Sequence, residues 1–236
     1  MLHAVRAVLA AATLLLSAHA AGAEAPAGPA WRDDYTTRLE ALALLQTLNA
    51  ELLTSDSATL TLDRWCATHK LAEPAQIVAE RVDGADEAPT SEQREVLGVG
   101  PTEPIRFRRV RLKCGAHVLS EAQNWYVPAR LAPDMNRVLD TTDTPFGRAV
   151  KSLNFRRRTL SAKLLWSPLP KDWEMGAAAN DNTPPNADGV LKVPHAVLQH
   201  RAVLTLPDGT PFSQVIETYT GDVLAFPDPH RPPTNN

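Results

Sequence analysis

The residues with the most chemical capacity in this chain are arginines. Arg106, Arg108, Arg109 and Arg111 crowd one short stretch, and Arg156-Arg157-Arg158 form a second cluster. A guanidinium offers a planar fork of N–H donors that grips a carboxylate through two charge-assisted hydrogen bonds. On an extended segment neighbouring side chains face opposite ways. Arg109 therefore shares a face with Phe107, Arg111 and Lys113, whereas Arg108 shares one with Val110 and Leu112. Other chemistry is thin. The chain has no G-x-S-x-G elbow, no H-E-x-x-H and no phosphate-binding P-loop. His195 and His200 stand five apart on an expected strand, point to opposite faces and cannot jointly hold a metal. His69 falls on a helical face with Leu62, Trp65 and Cys66 and reads as a partly buried structural histidine. Two cysteines cannot build a four-cysteine zinc site. No metal and no cofactor is expected.

The elements that must position these residues follow from periodicity and punctuation. Trp31 to Leu53 reads as a helix, with Tyr35, Leu39, Leu42, Leu45, Leu48 and Leu52 as its apolar stripe. Thr54-Ser55-Asp56-Ser57 breaks it, and a second helix is expected from Thr61 as N-cap. Gln76 to Val82 reads as a strand and Ser91 to Leu97 as one or two helical turns. Arg106 to Cys114 and His117 to Val127 form a hairpin about the tight turn Gly115-Ala116. Pro133 opens a helix to Leu139, and Thr144-Pro145 is expected to open another with Thr144 as its N-cap. Leu153 to Leu165, Val190 to Leu206 and Phe212 to Tyr219 complete the strands, the last two joined at Pro207-Asp208-Gly209. Helices come first and then interrupt the strands without alternating regularly. That argues an α+β fold, a mostly antiparallel sheet of about six strands with flanking helices.

At 44% hydrophobic and 22% charged over 236 residues, the chain can bury one sizeable core. A formal charge of −3 argues against general nucleic-acid binding. No apolar run reaches the roughly 18 residues of a membrane span, so no stable membrane insertion is expected. The N-terminus reads as an export signal over residues 1–23. Arg6 supplies a positive start, Ala7 to Leu16 the apolar stretch and Ala21-Gly22-Ala23 the cleavage site, with Ala18-His19-Ala20 a second candidate. The expected location is the periplasm. Residues 24–30 read as a linker, 31–226 as the domain with 167–189 an inserted loop or lid, and 227–236 as a Pro-rich tail. An oxidising compartment permits a Cys66–Cys114 disulfide, and two buried thiols are the alternative.

Five blocks in order, Arg109 to Cys114, Asn124-Trp125-Tyr126-Val127-Pro128, Thr144 to Arg148, Arg156-Arg157-Arg158 and Gly209-Thr210-Pro211 ahead of Glu217, carry a resemblance. The chain resembles chorismate pyruvate-lyases and the effector-binding (UTRA-like) domains that share their fold. The lyases convert chorismate to 4-hydroxybenzoate and pyruvate without metal or cofactor. The resemblance implies Arg109 and Glu217 as catalytic residues, the first gripping a carboxylate and the second hydrogen-bonding the ring hydroxyl and assisting proton removal. It implies Phe146 against the ring, Arg158 at the second carboxylate with its neighbours Arg156 and Arg157 open for the same place, Thr144 opening an anion-favouring helix start, and Asn124 where the family has an arginine. Two registers stay open. Arg108 replaces Arg109 if its face lines the pocket. Ile216 takes the position of Glu217 unless a one-residue bulge follows Gly209-Thr210-Pro211.

Three functions follow. One is an exported lyase of this type. Another is a non-catalytic binder of a small aromatic or carboxylate ligand such as a hydroxybenzoate, since the fold hosts both. The last is an envelope interaction protein whose pocket is filled by side chains. No basic recognition helix precedes the domain, which argues against a transcription factor.

Overall fold

The computed structural model describes residues 31–82, 84, 86–176 and 186–227. The expected export signal, the linker at 24–30, and the Pro-rich tail beyond Pro227 lie outside the described residues, as does the loop segment 177–185. Among the described residues, α1 (Tyr35–Thr54) and α2 (Ala58–Thr68) lead into β1 (Ile77–Arg81), α3 (Ser91–Leu97), β2 (Arg106–Cys114) and β3 (His117–Tyr126). Then follow α4 (Pro133–Thr141), α5 (Phe146–Ala149), β4 (Arg156–Leu164), β5 (Ala196–Thr205) and β6 (Pro211–Thr220). The strands form one six-stranded sheet in the order β1-β2-β3-β6-β5-β4, antiparallel throughout. The fold is α+β. No helix among the described residues is long and apolar enough to cross a membrane.

One face of the sheet, called inner below, carries α1 and α2. Leu45, Leu48 and Leu52 of α1 and Leu62, Trp65 and Cys66 of α2 pack on Ile77, Val110, Leu112 and Val215. Cys66 and Cys114 are joined in a disulfide that ties α2 to β2. The other face carries α3, whose Leu97 packs with Trp125, Phe107 and Ile216. Local chemistry explains most boundaries. Asp34 caps α1 by accepting the Thr37 N–H at 2.9 Å, so the helix begins at Tyr35, after Trp31. Trp31 is buried instead beside the C-terminal turn, its indole N–H donating to the carbonyls of Leu224 and Phe226. Tyr35 and Leu39, expected in the buried stripe, are 48% and 37% exposed, because the buried row runs through Thr37, Ala41, Leu45, Leu48 and Leu52. Ser57, ahead of the expected Thr61, caps α2. The cap of α5 is Pro145, one residue past Thr144, and makes no side-chain cap bond. Strand β5 begins at Ala196 and not at Val190, since Val190 bridges to Arg32 and the Leu191 N–H donates to the Trp31 carbonyl ahead of α1. Gly115 turns β2 into β3 at φ 56°, where a side chain would meet Ala72 at 2.6 Å. The flanks of the long 167–189 stretch are anchored, with Leu169 buried and the Asn186 N–H bonded to the Asp33 carboxylate. His69 is partly buried between the rings of Trp65 and Phe226, at 4.0 and 4.3 Å.

Candidate functional site

A cleft opens on the inner face between the sheet and the starts of α2 and α5. Its interior is narrow, about 50 Å³, below the ~300–1,000 Å³ of small-molecule sites. Val110, Ala122 and Val215 form an apolar floor on β2, β3 and β6. Phe146 and Gly147 of α5 and Ala58 and Thr59 of α2 roof it. Phe146 is itself held by Tyr126 and Phe212, at 5.3 and 6.3 Å between ring centres.

Arg108 forms one wall. The alternation of β2 puts it inward with Val110, Leu112 and Cys114, and it is 5% exposed. Its Nη2 donates to the Thr144 carbonyl at 3.2 Å, while Nε and Nη1 have no acceptor. Burial, and then the neighbouring charge of Arg81, pushes its pKa down to about 10, so it stays charged at neutral pH. A buried cation with two idle donors is costly unless an anion meets it.

The opposite wall is an ion pair. Arg157 reaches from β4 to Glu217 on β6, Nη2 to Oε2 at 2.6 Å, with side chains 3% and 7% exposed. The Tyr219 hydroxyl donates to the same oxygen at 3.2 Å. Burial opposes the charge on Arg157, but attraction to Glu217 and Tyr219 together with the hydrogen bond outweighs it and raises its pKa. Burial, reinforced by Glu217, holds the Tyr219 hydroxyl protonated. Arg157 Nε has no partner. His200, paired with Glu217 across β5 and β6, lies fully buried with Nε2 2.8 Å from Asn49 Oδ1 and Nδ1 unpartnered. Burial pushes its pKa down to about 4 despite the nearby carboxylate, leaving a neutral imidazole at pH 7.

The sequence-expected residues divide by face. Glu217, Asn124 and Phe146 line the cleft. Asn124 Oδ1 accepts the Ser213 hydroxyl at 2.6 Å. The β5–β6 register slips between Leu204 and Thr205, leaving Phe212 as an extra residue just after Gly209-Thr210-Pro211. That slip places Glu217 inward, and Ile216 packs against α3 on the other face. Arg109 points away from the cleft, bonded to Glu87 and lying 5.6 Å over the Phe107 ring. Arg158 is exposed on that same outer side, opposite Val203. Thr144 enters only through its carbonyl, on Arg108. Among the three neighbouring arginines left open by the sequence, the structure puts Arg157 and not Arg158 in the cleft, and sequence reasoning missed the Ser57–Thr59 corner. Strand parity within the Arg156-Arg157-Arg158 run was the available signal for the first, and the N-cap chemistry of Ser57 for the second. Among the described residues no three His, Cys, Asp or Glu side chains gather as metal ligands.

No protein-family model matches the chain. It is 57% identical over 200 residues to the uncharacterized protein y4mC of Sinorhizobium fredii, covering 84% of this chain and 83% of y4mC. Among solved structures it is similar to PhnF from Mycobacterium smegmatis, at a TM-score of 0.46 and 16% identity, over 72% of this chain and 66% of that one. The chain thus spans just under two thirds of PhnF. Against the effector domain of PhnF alone the TM-score is 0.42 at 16% identity, over 66% of this chain and 88% of that one. A GntR-family transcriptional regulator from Bacillus cereus gives 0.37 at 12% identity, over 62% of this chain and 92% of that one.

Proposed function

We propose that this chain, which belongs to the family of y4mC, is an exported receptor for a small aromatic carboxylate held in the inner cleft. The observation that carries this reading is Arg108, buried against the cleft with Nε and Nη1 unpaired. Unpaired N–H groups on a charged guanidinium can donate to a carboxylate oxygen. The apolar floor and the Phe146 ring suit a flat hydrocarbon body. Export is supported by the Ala21-Gly22-Ala23 site and by the Cys66–Cys114 disulfide, a bond that persists in oxidising compartments.

The test is titration calorimetry with 4-hydroxybenzoate and benzoate on the wild-type protein and on Arg108→Met. Binding by wild type and its loss in the variant support the reading. Equal binding by both would sink Arg108 as the anchor.

A second reading is favoured by one observation, the Glu217 carboxylate in the same cleft as Arg108. On this reading the protein eliminates pyruvate from chorismate without metal or cofactor, with the substrate positioned by the two walls. Glu217 Oε2 already accepts from Arg157 and Tyr219, so any proton would pass to its other oxygen. Pyruvate release from chorismate, abolished in Glu217→Gln, would establish the lyase. Binding of 4-hydroxybenzoate with no pyruvate release would leave the receptor.

A further inference from the structure

We propose that α1 is a dimerisation helix, its solvent face seated antiparallel on the same face of a second copy of this chain. The helix runs for 20 residues, Tyr35–Thr54, about 30 Å. Its inner row rests on the sheet. Its outer row is Leu39, Ala43, Gln46, Ala50 and Leu53, all exposed, with Leu39 at 37% and Leu53 at 46%. No exposed residue of α1 is charged. The solvent sides of other helices differ, since α3 shows Glu92 and Glu95 and α4 shows Asp134, Arg137 and Asp140. A surface helix ordinarily carries charge opposite its core stripe. The threonines on this face are satisfied within the helix. The hydroxyls of Thr47 and Thr54 donate to the carbonyls of Ala43 and Ala50, each at 2.9 Å.

The spacing of the outer row fits a second helix, and its order fits a second copy. Steps of four, three, four and three residues make the heptad seam of two packed helices. The row is the same from either end, Leu, Ala, Gln, Ala, Leu. Such a face is complementary to itself about a two-fold axis, as an isologous contact requires. With the axis at Gln46, Leu39 meets the partner's Leu53 and Ala43 meets the partner's Ala50. Alanine opposite alanine lets the helix axes approach to about 8 Å, and the leucines close both ends of the seam.

On the axis the two Gln46 amides face each other. Gln46 Oε1 accepts from Asn49 at 3.2 Å. That leaves both Nε2 hydrogens and a second lone pair on Oε1 for the partner's Gln46. The acidic residues of α1, Glu40 and Glu51, flank the seam and do not enter it. A strip of about 30 by 10 Å on each copy is about 300 Å², well short of the ~800 Å² per partner of a standard complex. The dimer is therefore weak and forms reversibly at high concentration.

The test is sedimentation equilibrium of the intact, disulfide-bonded protein from about 10 μM to about 1 mM, the range that suits a small interface. The mean mass of the wild type is expected to climb from monomer toward dimer. Ala43→Glu sets a carboxylate against the partner's Ala50 and is expected to weaken the dimer at least about tenfold. Adding Ala50→Lys puts a lysine opposite each new glutamate. It is expected to return the dissociation constant to within about threefold of wild type. Leu53→Lys attacks the seam from its end and is also expected to leave monomer. Circular dichroism checks the fold of each variant, and should Ala43→Glu or Leu53→Lys not fold, the other reads the same face. A wild type that stays monomeric overturns the proposal. So does a dimer indifferent to Ala43→Glu and Leu53→Lys, which places the contact on another surface. A folded double variant that stays monomeric overturns the antiparallel pairing.

Discussion

Arg108 and Arg109 are adjacent on β2 and differ in nearly everything but charge. Arg108 is buried on the inner face with two donors idle, and Arg109 is one-third exposed on the outer face, with Glu87 and Phe107 for company. Arg157 and Arg158 repeat the contrast on β4, the first locked to Glu217 and the second in solvent. The inner face therefore holds charge where desolvation makes it expensive. The outer face holds the same residue type where water and loose ion pairs make it cheap. The position of a side chain relative to the helical layer decides what each arginine can do.

The sharpest way to break this contrast is to uncouple the inner pair. Glu217→Ala strands the Arg157 guanidinium in a buried site, and removing one partner of such a pair typically costs about 3–5 kcal/mol. In a domain of this size that lowers Tm by roughly 10 °C. Replacing both residues, Glu217→Leu with Arg157→Met, should recover most of the loss. Thermal unfolding of the three proteins is the check. A Glu217→Ala protein as stable as wild type would mean that the pair is open to water.

Arg108 predicts a different signature, because it is unpaired already. Arg108→Met should lower the affinity for a bound benzoate by about 30- to 100-fold, the equivalent of roughly 2–3 kcal/mol for a charge-assisted fork. Stability should hold or rise by up to about 1 kcal/mol, since an uncompensated buried charge is removed. Calorimetry and urea unfolding on one preparation test both halves. Loss of stability in parallel with binding would make Arg108 a structural residue.

His200 extends the comparison to pH. Its folded pKa of about 4 lies below the unfolded value of 6.5. Below pH 6.5 the unfolded chain binds the proton and the folded one does not, so stability falls as pH drops from about 6.5 to about 4. Between pH 7 and pH 5 the loss is about 2 kcal/mol. His200→Gln, which can still donate to Asn49, should flatten that part of the profile. The groups facing His200 are Glu217, Arg157, Tyr219 and Asn49. A slope that persists in the variant would assign it to other groups.

Much of the layer structure was legible because it rests on local rules. Alternation along Arg106 to Cys114 marked Arg108, Val110, Leu112 and Cys114 as one face, and that face is inward. The same alternation opened the choice between Arg108 and Arg109 without deciding it, since only the docking of α1 and α2 tells which face is covered. The Ile216 and Glu217 ambiguity was visible as a needed slip, and the slip falls at Phe212. The Arg157–Glu217 pair was not legible. It joins strands separated by β5 and by 60 residues of sequence, and no local pattern encodes such a contact. The start of α2 was read too late because Thr61 is also a fair cap, whereas Ser57 takes the role once Asp56 ties the preceding turn to Arg157.

The smallest expected effect is also the one that most directly tests the division of faces. Arg109→Ala removes an exposed ion pair with Glu87 and a contact with the Phe107 ring. Such pairs are worth about 0–1 kcal/mol, and the side chain has no path to the inner cleft through the strand that carries it. Stability should change by less than about 1 kcal/mol and benzoate affinity by less than about twofold. A large loss of binding in Arg109→Ala, with Arg108→Met unaffected, would require β2 to present its other parity to the ligand. The Cys66–Cys114 bond forbids that rotation, because Cys114 shares the parity of Arg108 and is tied to α2 on the inner side.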